Sequence, residues 1–346
     1  MIPGRPRIAL VRLSSLGDVV HALPVAHALR RLRPQAELVW IVERRERAVL
    51  AHHPDLDAVV DVDTRLWRRE LRRPRGARGV GREVGGLVKR LRTARFDAAL
   101  DLQGLWKSGV ITWLTRAPLR VGFAAADCRE RANALFTNRR VAIPSGAQHV
   151  VEANLALLGG LGLDAAAAGP PVFPMARDAE AEASMARYLA DEGLKPDTPL
   201  VVLNPGAGGP AKRWSVEAYR RLGDDLAVRL QARVLVAWGP GEEPLARAIA
   251  HGMRVAPLVP PPTSIAELIA LLRRATLVVG GDTGPIHLAA GLGVATVGLY
   301  GPTSARRNGP LGVRASSVQS PTGRMDGIGV EPVSYTHLTL PTNSRV

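Results

Sequence analysis

The chain has 346 residues, 46% of them hydrophobic, enough to fill two cores of ordinary domain size, which excludes a disordered or fibrous protein. Its net charge of +15 suits nucleic acid, an anionic membrane or phosphorylated partners, while the single cysteine, Cys128, excludes an intrachain disulfide and a cysteine-rich metal site and reads as a small packed residue. The apolar runs fall short of the roughly 20 residues that span a bilayer, and MIPGRPRIALVRL has too short an apolar stretch and too early an arginine for a secretory signal, so a cytoplasmic location is expected.

Along the chain, the apolar run RIALVRL is followed by the amphipathic VVHALPVAHALRRLRP, then by AELVWIVE and later FDAALDLQG. Between them, Arg65 to Arg95 carries twelve basic and two acidic residues, or +10 of the net +15. This segment is either a solvated face with a mobile loop or a docking surface for something anionic. Periodicity is diluted by Gly, Pro and Ala near residues 164 to 175, which places a domain junction there and gives domains of 1–168 and 176–330. The second half then repeats the alternation with PLVVLNPG, VEAYRRLGDDLAVRLQ, ARVLVAWG, SIAELIALLRRA, TLVVGGD and VATVGLYG. Continuous apolar strands alternating with helices predict an α/β fold of two domains, each with a parallel sheet covered on both faces, with a ligand cleft at the carboxyl ends of the strands. After GPTSARRNGPLG the periodicity fades. The stretch 334–346, SYTHLTLPTNSRV, lacks a helical period, resembles translated adapter sequence, and is set aside from the fold.

Four strand-to-helix loops hold residues that a plain connection does not need. In Ser14-Ser15-Leu16-Gly17-Asp18, Gly17 permits a tight turn, and Asp18 is either a helix N-cap or a carboxylate ready to take a proton from a bound hydroxyl. NPGAGGPAKRW sets glycines beside Lys212 and Arg213 ahead of a helix, an arrangement that cradles phosphate or forms a simple turn. It is not GxxxxGK[ST], and no GxGxxG follows a strand, which counts against a triphosphatase and a nicotinamide enzyme. In WGPGEEP, Glu242 or Glu243 is placed to accept hydrogen bonds from ribose, although first-turn glutamates also occur for helix-dipole reasons alone. The fourth loop, Gly280-Gly281-Asp282-Thr283-Gly284, offers hydroxyl, carboxylate and backbone donors to a diphosphate, with Pro285 as first helical residue and His287 in the first turn.

Taken in order, SSLGDVVHALP, DLQGLWKSG, NPGAGGPAKRW and GGDTGPIHLAAGLGVATVGLYGPT resemble glycosyltransferase family 9, the ADP-heptose lipopolysaccharide heptosyltransferases, over about residues 7 to 312. The resemblance implies a GT-B arrangement of two Rossmann-like domains facing a central cleft, an inverting mechanism, and no metal or cofactor beyond the ADP-heptose donor. It implies that Asp18 is the catalytic base, that Lys212, Glu242, Asp282, Thr283, Gly284 and His287 bind the donor, and that Ser14, Ser15, Gln103 and Lys107 line the acceptor side with Gly104 and Ser108. Some members have two threonines where this chain has Ala207 and Gly208, so side-chain hydroxyl contacts are absent there. The N-terminal motif is most similar to the heptosyltransferase I group, which implies transfer to the inner Kdo of Kdo2-lipid A; heptosyltransferase II or another acceptor is the alternative. The Arg65–Arg95 segment is then expected to meet Kdo carboxylates, lipid A phosphates and the anionic cytoplasmic face of the inner membrane. A nucleic-acid-binding protein would need a recognition helix or an aromatic stacking surface, for which 4% aromatic residues is a poor basis. A paralogue that binds donor without turnover is disfavoured by the presence of Asp18 and Lys212.

Overall fold

A computed structural model describes residues 5–73 and 76–336 of the chain. The chain divides into two compact units, Met1–Ala176 and Arg177–Val346.

The first unit holds six strands: β1 (Arg7–Val11), β2 (Glu37–Glu43), β3 (Ala58–Val62), β4 (Ala98–Asp101), β5 (Leu119–Phe123) and β6 (Arg139–Val141). Their order across the sheet is β3-β2-β1-β4-β5-β6, and every neighbouring pair is parallel. This is the strand order of a dinucleotide-binding Rossmann sheet, and the order reverses between β1 and β4. The expected α/β class is therefore realised: Ala9, Val11, Val39, Ile41 and Ala99 point to one face of the sheet and pack with Leu87, Leu91 and Phe96 from the covering layer.

The basic segment is folded, contrary to the mobile-loop reading. Asp63 caps the helix Thr64–Glu70 by accepting the Leu66 N–H at 2.8 Å. The longer helix Gly76–Thr93 buries Val80, Leu87 and Leu91 along one stripe and keeps Arg78, Arg82, Lys89, Arg90 and Arg92 in solvent. Arg75 lies outside the described residues. The strands β3, β5 and β6 escaped the apolar-run reading because they are short and include charged or half-buried positions.

The second unit holds β7 (Leu200–Asn204), β8 (Arg233–Val236), β9 (Leu277–Gly281), β10 (Ala295–Tyr300) and β11 (Ala315–Gln319), ordered β11-β10-β9-β7-β8 and again parallel. Renumbered within the unit this is the 2-1-3-4-5 order, whose switch point lies between β7 and β9. The fold does not end where the periodicity fades, after Gly312. Polar β11 forms the sheet edge, and the helix Val330–Thr336 buries Val333 and Ser334 against the helix Val216–Arg229. Ser334 bonds Asp225, and the Tyr335 ring lies 4.6 Å from the Arg229 guanidinium. Ser334 to Thr336, set aside on sequence grounds, thus complete a packed helix; residues 337–346 lie outside the described residues.

Candidate functional site

In the first unit the loops leaving β1 and β4 meet at the switch point, where the carboxyl ends of two adjacent strands diverge and leave room for a ligand. Leu13 donates its N–H to Gln103 Oε1 at 2.9 Å, Gln103 Nε2 donates to the Ser14 carbonyl at 3.2 Å, and Lys107 Nζ bridges Ser14 Oγ at 3.1 Å and buried Glu43 at 3.3 Å. Beneath them Asp101 is fully buried and accepts four hydrogen bonds, from Gln103 N, Gly104 N, Ser108 Oγ and Asn133 Nδ2. Burial pushes its carboxyl up, and those donors work against that rise. Three of the candidate acceptor-side residues, Ser14, Gln103 and Lys107, are therefore joined in one hydrogen-bonded network, and Ser15 follows Ser14 in the chain and bonds Asp18 instead.

Asp18 is not the N-cap. Ser15 caps the short helix Leu16–Val20, and Asp18 stands at its third position, accepting from Ser15 N and Ser15 Oγ at 3.0 Å each. Its other oxygen receives Arg12 Nη2 at 2.6 Å, and Arg129 stands 3.9 Å from the first. Burial pushes the Asp18 carboxyl up, but the Arg12 charge, the two Ser15 bonds and Arg129 outweigh it and hold it below the ordinary aspartate value. An anionic carboxylate, 26% exposed, is thus presented at the switch point. Arg12 and Arg129 were not singled out from sequence. Arg12 directly precedes the LSSLGD motif, where a cation at the end of a buried strand needs an anion, and that was the available signal.

In the second unit the three donor-side loops, which follow β7, β8 and β9, lie around the switch point. Asn204, which ends β7, donates from Nδ2 to Thr283 Oγ1 at 3.0 Å, and Thr283 bonds the Gly281 carbonyl at 3.1 Å. A Cβ at Gly280 would stand 2.5 Å from the Asn204 carbonyl, so only glycine permits the two loops to close up. Lys212 Nζ lies 2.9 Å from Asp282 Oδ2, and His287 Nε2 lies 3.3 Å from Asp282 Oδ1. Burial again raises the Asp282 carboxyl, but the bonds and charges of His287 and Lys212 prevail and hold it at about 2. His287 is only 4% exposed, which makes it the support of Asp282 from within. Thr283 caps the helix Gly284–Gly291, so Gly284 is its first residue and Pro285, expected there, its second. The N–H groups of this helix start stand near Lys212, which pairs with Asp282, and both are groups of the kind that an anion can engage.

Of the two glutamates in WGPGEEP, the geometry separates their roles. Glu243 begins the helix Glu243–His251 and pairs outward with Arg247 at 2.7 Å. Glu242 turns inward, accepts the Gly239 N–H at 3.0 Å, and rests where a Cβ on Gly206 would collide with it. Ala207 and Gly208 lie in the same loop beside it and supply only backbone groups.

Arg65, Arg68 and Arg69 of the helix Thr64–Glu70 and Arg72 just beyond it line an open hollow of about 440 Å³, and Arg69 stands 3.5 Å from Glu70. Cys128 is buried, its thiol within 3.5 Å of the Phe123 carbonyl, and burial pushes its pKa up. Among the described residues, no cluster of three or more His, Cys, Asp or Glu is arranged to hold a metal ion, and no helix is long and apolar enough to cross a membrane.

Comparison with known proteins converges on one group. Residues 84–329 match the family model of glycosyltransferase family 9 (heptosyltransferase). The lipopolysaccharide heptosyltransferase 1 of Pseudomonas aeruginosa is 32% identical over 88% of this chain and 81% of its own length. The E. coli heptosyltransferase WaaC, solved with ADP-2-deoxy-2-fluoro heptose, is 26% identical with a TM-score of 0.77, covering 95% of this chain and 98% of that one. A family 9 glycosyltransferase of Veillonella parvula, 20% identical, shares the fold at a TM-score of 0.81 over 96% of this chain and 97% of its own. With its two parallel sheets, its loops converging at both switch points and these relatives, the chain belongs to glycosyltransferase family 9, the heptosyltransferase family.

Proposed function

We propose that this glycosyltransferase moves heptose from ADP-heptose to the inner Kdo of Kdo2-lipid A in lipopolysaccharide core assembly, with inversion at the anomeric carbon. The observation that carries the reading is the ionised Asp18 carboxylate held at the switch point of the first unit by Arg12 and Ser15. A family 9 transfer needs one base on the acceptor hydroxyl and fixed positive charge on the leaving diphosphate. Asp18 takes the proton as the hydroxyl oxygen attacks. The sugar–phosphate bond breaks, and its electron pair leaves with ADP.

On the donor side, Lys212 and the N–H groups at Gly284 receive the diphosphate, Thr283 and Asp282 shape that end, His287 holds Asp282 in place, and Glu242 accepts the ribose hydroxyls. Ser14, Ser15, Gln103 and Lys107 line the acceptor side. The leaving group is stabilised by these side chains and dipoles without a metal or a further cofactor. Arg65, Arg68 and Arg72 face the anionic acceptor and the cytoplasmic surface of the inner membrane, each worth about 1 kcal/mol near such a surface. Nucleic acid is not a partner in this reading.

The test is mass spectrometry of the acceptor after incubation of purified protein with ADP-heptose. Addition of one heptose to Kdo2-lipid A, and none to an acceptor that already carries the first heptose, supports the assignment. The reverse preference would assign the second transfer instead.

A further inference from the structure

The Asp18 carboxylate has about four lone-pair positions, and the contacts around it fill three. Oδ2 is taken twice, by Ser15 N and Ser15 Oγ at 3.0 Å each, with Arg129 Nη1 3.9 Å away. Oδ1 is taken once, by Arg12 Nη2 at 2.6 Å. Arg12 is itself anchored: its side chain is 4% exposed, Nη1 donates to the Leu102 carbonyl, and its own carbonyl receives Trp40 Nε1 at 3.1 Å. A guanidinium buried in this way is screened little by solvent, and its planar fork fixes the direction of the bond it makes.

We propose that Arg12 is a positioning residue for the transfer: bonded to Asp18 Oδ1 from a buried, anchored site, it keeps the carboxylate ionised and oriented, with the open lone pair of Oδ1 as the place where the acceptor's proton arrives. The proposal rests on Asp18 being the base. When the acceptor O–H bond breaks, its proton goes to Oδ1 and its electron pair forms the new bond to the anomeric carbon, while the sugar–phosphate pair leaves with ADP. Arg12 disfavours a protonated Asp18, so proton transfer comes late, when the hydroxyl has already become acidic through bond formation, and the proton is passed on to water readily.

The charged groups around the carboxylate come from each element packed on it. Arg12 comes from the β1 loop, Arg129 from the loop after β5, and Asp101 at the end of β4 acts on Arg12. Lys107 is bonded to Ser14, the chain neighbour of Ser15. With Arg12 removed, burial is opposed only by Ser15 and Arg129, and the acid limb of the reaction moves up.

The experiment is the pH dependence of kcat at saturating ADP-heptose and Kdo2-lipid A, with folding followed by circular dichroism, for wild type, Arg12→Met, Arg12→Lys and Asp18→Asn. The wild-type kcat is expected to stay within about twofold between about pH 7.5 and pH 5, whereas Arg12→Met falls about tenfold below its own plateau by pH 5, with the KM for ADP-heptose unchanged. Arg12→Lys keeps the wild-type limb but loses kcat several-fold, since one ammonium lacks the planar fork. Arg12→Met holding its plateau to pH 5, or Arg12→Lys matching wild type in kcat, would overturn the proposal. If Arg12→Met does not fold, a folded wild type losing tenfold by pH 5 overturns it equally. An active Asp18→Asn enzyme removes the base assignment and the Arg12 role with it. An inactive one with an unmoved Arg12→Met limb removes the Arg12 role alone.

Discussion

Lys212 and Asp282 are 2.9 Å apart in the second unit, so the lysine proposed to meet the diphosphate already carries a counter-charge. Replacing Lys212 by alanine therefore has two effects. It removes a charge-assisted bond to phosphate, worth about 1.5–3 kcal/mol, and it leaves the Asp282 carboxylate without its cation. That carboxylate keeps its His287 contact at 3.3 Å and, across the two hydrogen-bond lengths (about 6 Å) that a bridging lysine would span, repels a phosphate charge by about 1–3 kcal/mol at an effective dielectric of about 20 to 40. The combined loss is about 2.5–6 kcal/mol, or at least about fiftyfold in affinity for ADP-heptose. The double variant Lys212→Ala/Asp282→Asn abolishes the repulsion and should bind about tenfold more tightly than Lys212→Ala alone. Isothermal titration with ADP-heptose at low ionic strength measures both. Unchanged affinity in Lys212→Ala, or a double variant weaker than the single, would refute the phosphate role and the electrostatic account of the pair.

Other consequences follow from the same geometry. Because Asp282 is held at about 2, below its unfolded value near 4, its contribution of about 2 kcal/mol is complete above pH 4 and is lost as the pH falls towards 2. Thermal melts should show the stability difference between wild type and Asp282→Asn shrinking across that window. Gly206→Ala drives a methyl group into the Glu242 carboxylate, a flexible side chain that can swing away, so the melting temperature should hold while ADP-heptose affinity drops about tenfold; an unaltered affinity would detach Glu242 from ribose. Asp101→Ala strands four buried donors and should cost about 3–5 kcal/mol in urea unfolding. Replacing Arg65, Arg68 and Arg72 by glutamine should weaken flotation with anionic vesicles and reduce its sensitivity to salt, and equal flotation would return that helix to a plain solvated face.

The elements that were legible in the sequence are those whose surroundings are uniform. β1, β2, β7, β9 and β10 are buried on both faces and so read as unbroken apolar runs. The edge strand β11, ASSVQ, is half-exposed and polar, and the helix Val330–Thr336 is too short to display a period. Both were lost for that reason. The loops bearing Asp18, Lys212, Glu242 and Asp282 stood out because each joins a strand to a helix with residues that a simple turn does not require. What the loops do to one another was not legible: Asn204 on Thr283 and Glu43 on Lys107 are pairings far apart in sequence, and Arg12 reaches Asp18, six residues on, only because the loop after β1 folds back on itself. The choice between Glu242 and Glu243 likewise needed the helix start to be fixed, since one residue of shift exchanges the inward and outward positions. The basic segment misled in the opposite sense: its charge suggested a loop, but three apolar residues on one stripe suffice to dock the helix Gly76–Thr93.

A heptose transfer driven by Asp18 is tested most directly by ADP release from ADP-heptose with and without Kdo2-lipid A, by wild type and Asp18→Asn. Release that requires the acceptor is expected in wild type, with near-complete loss in Asp18→Asn while donor binding is retained. Acceptor-independent release, or equal release by the two proteins, would remove Asp18-driven transfer.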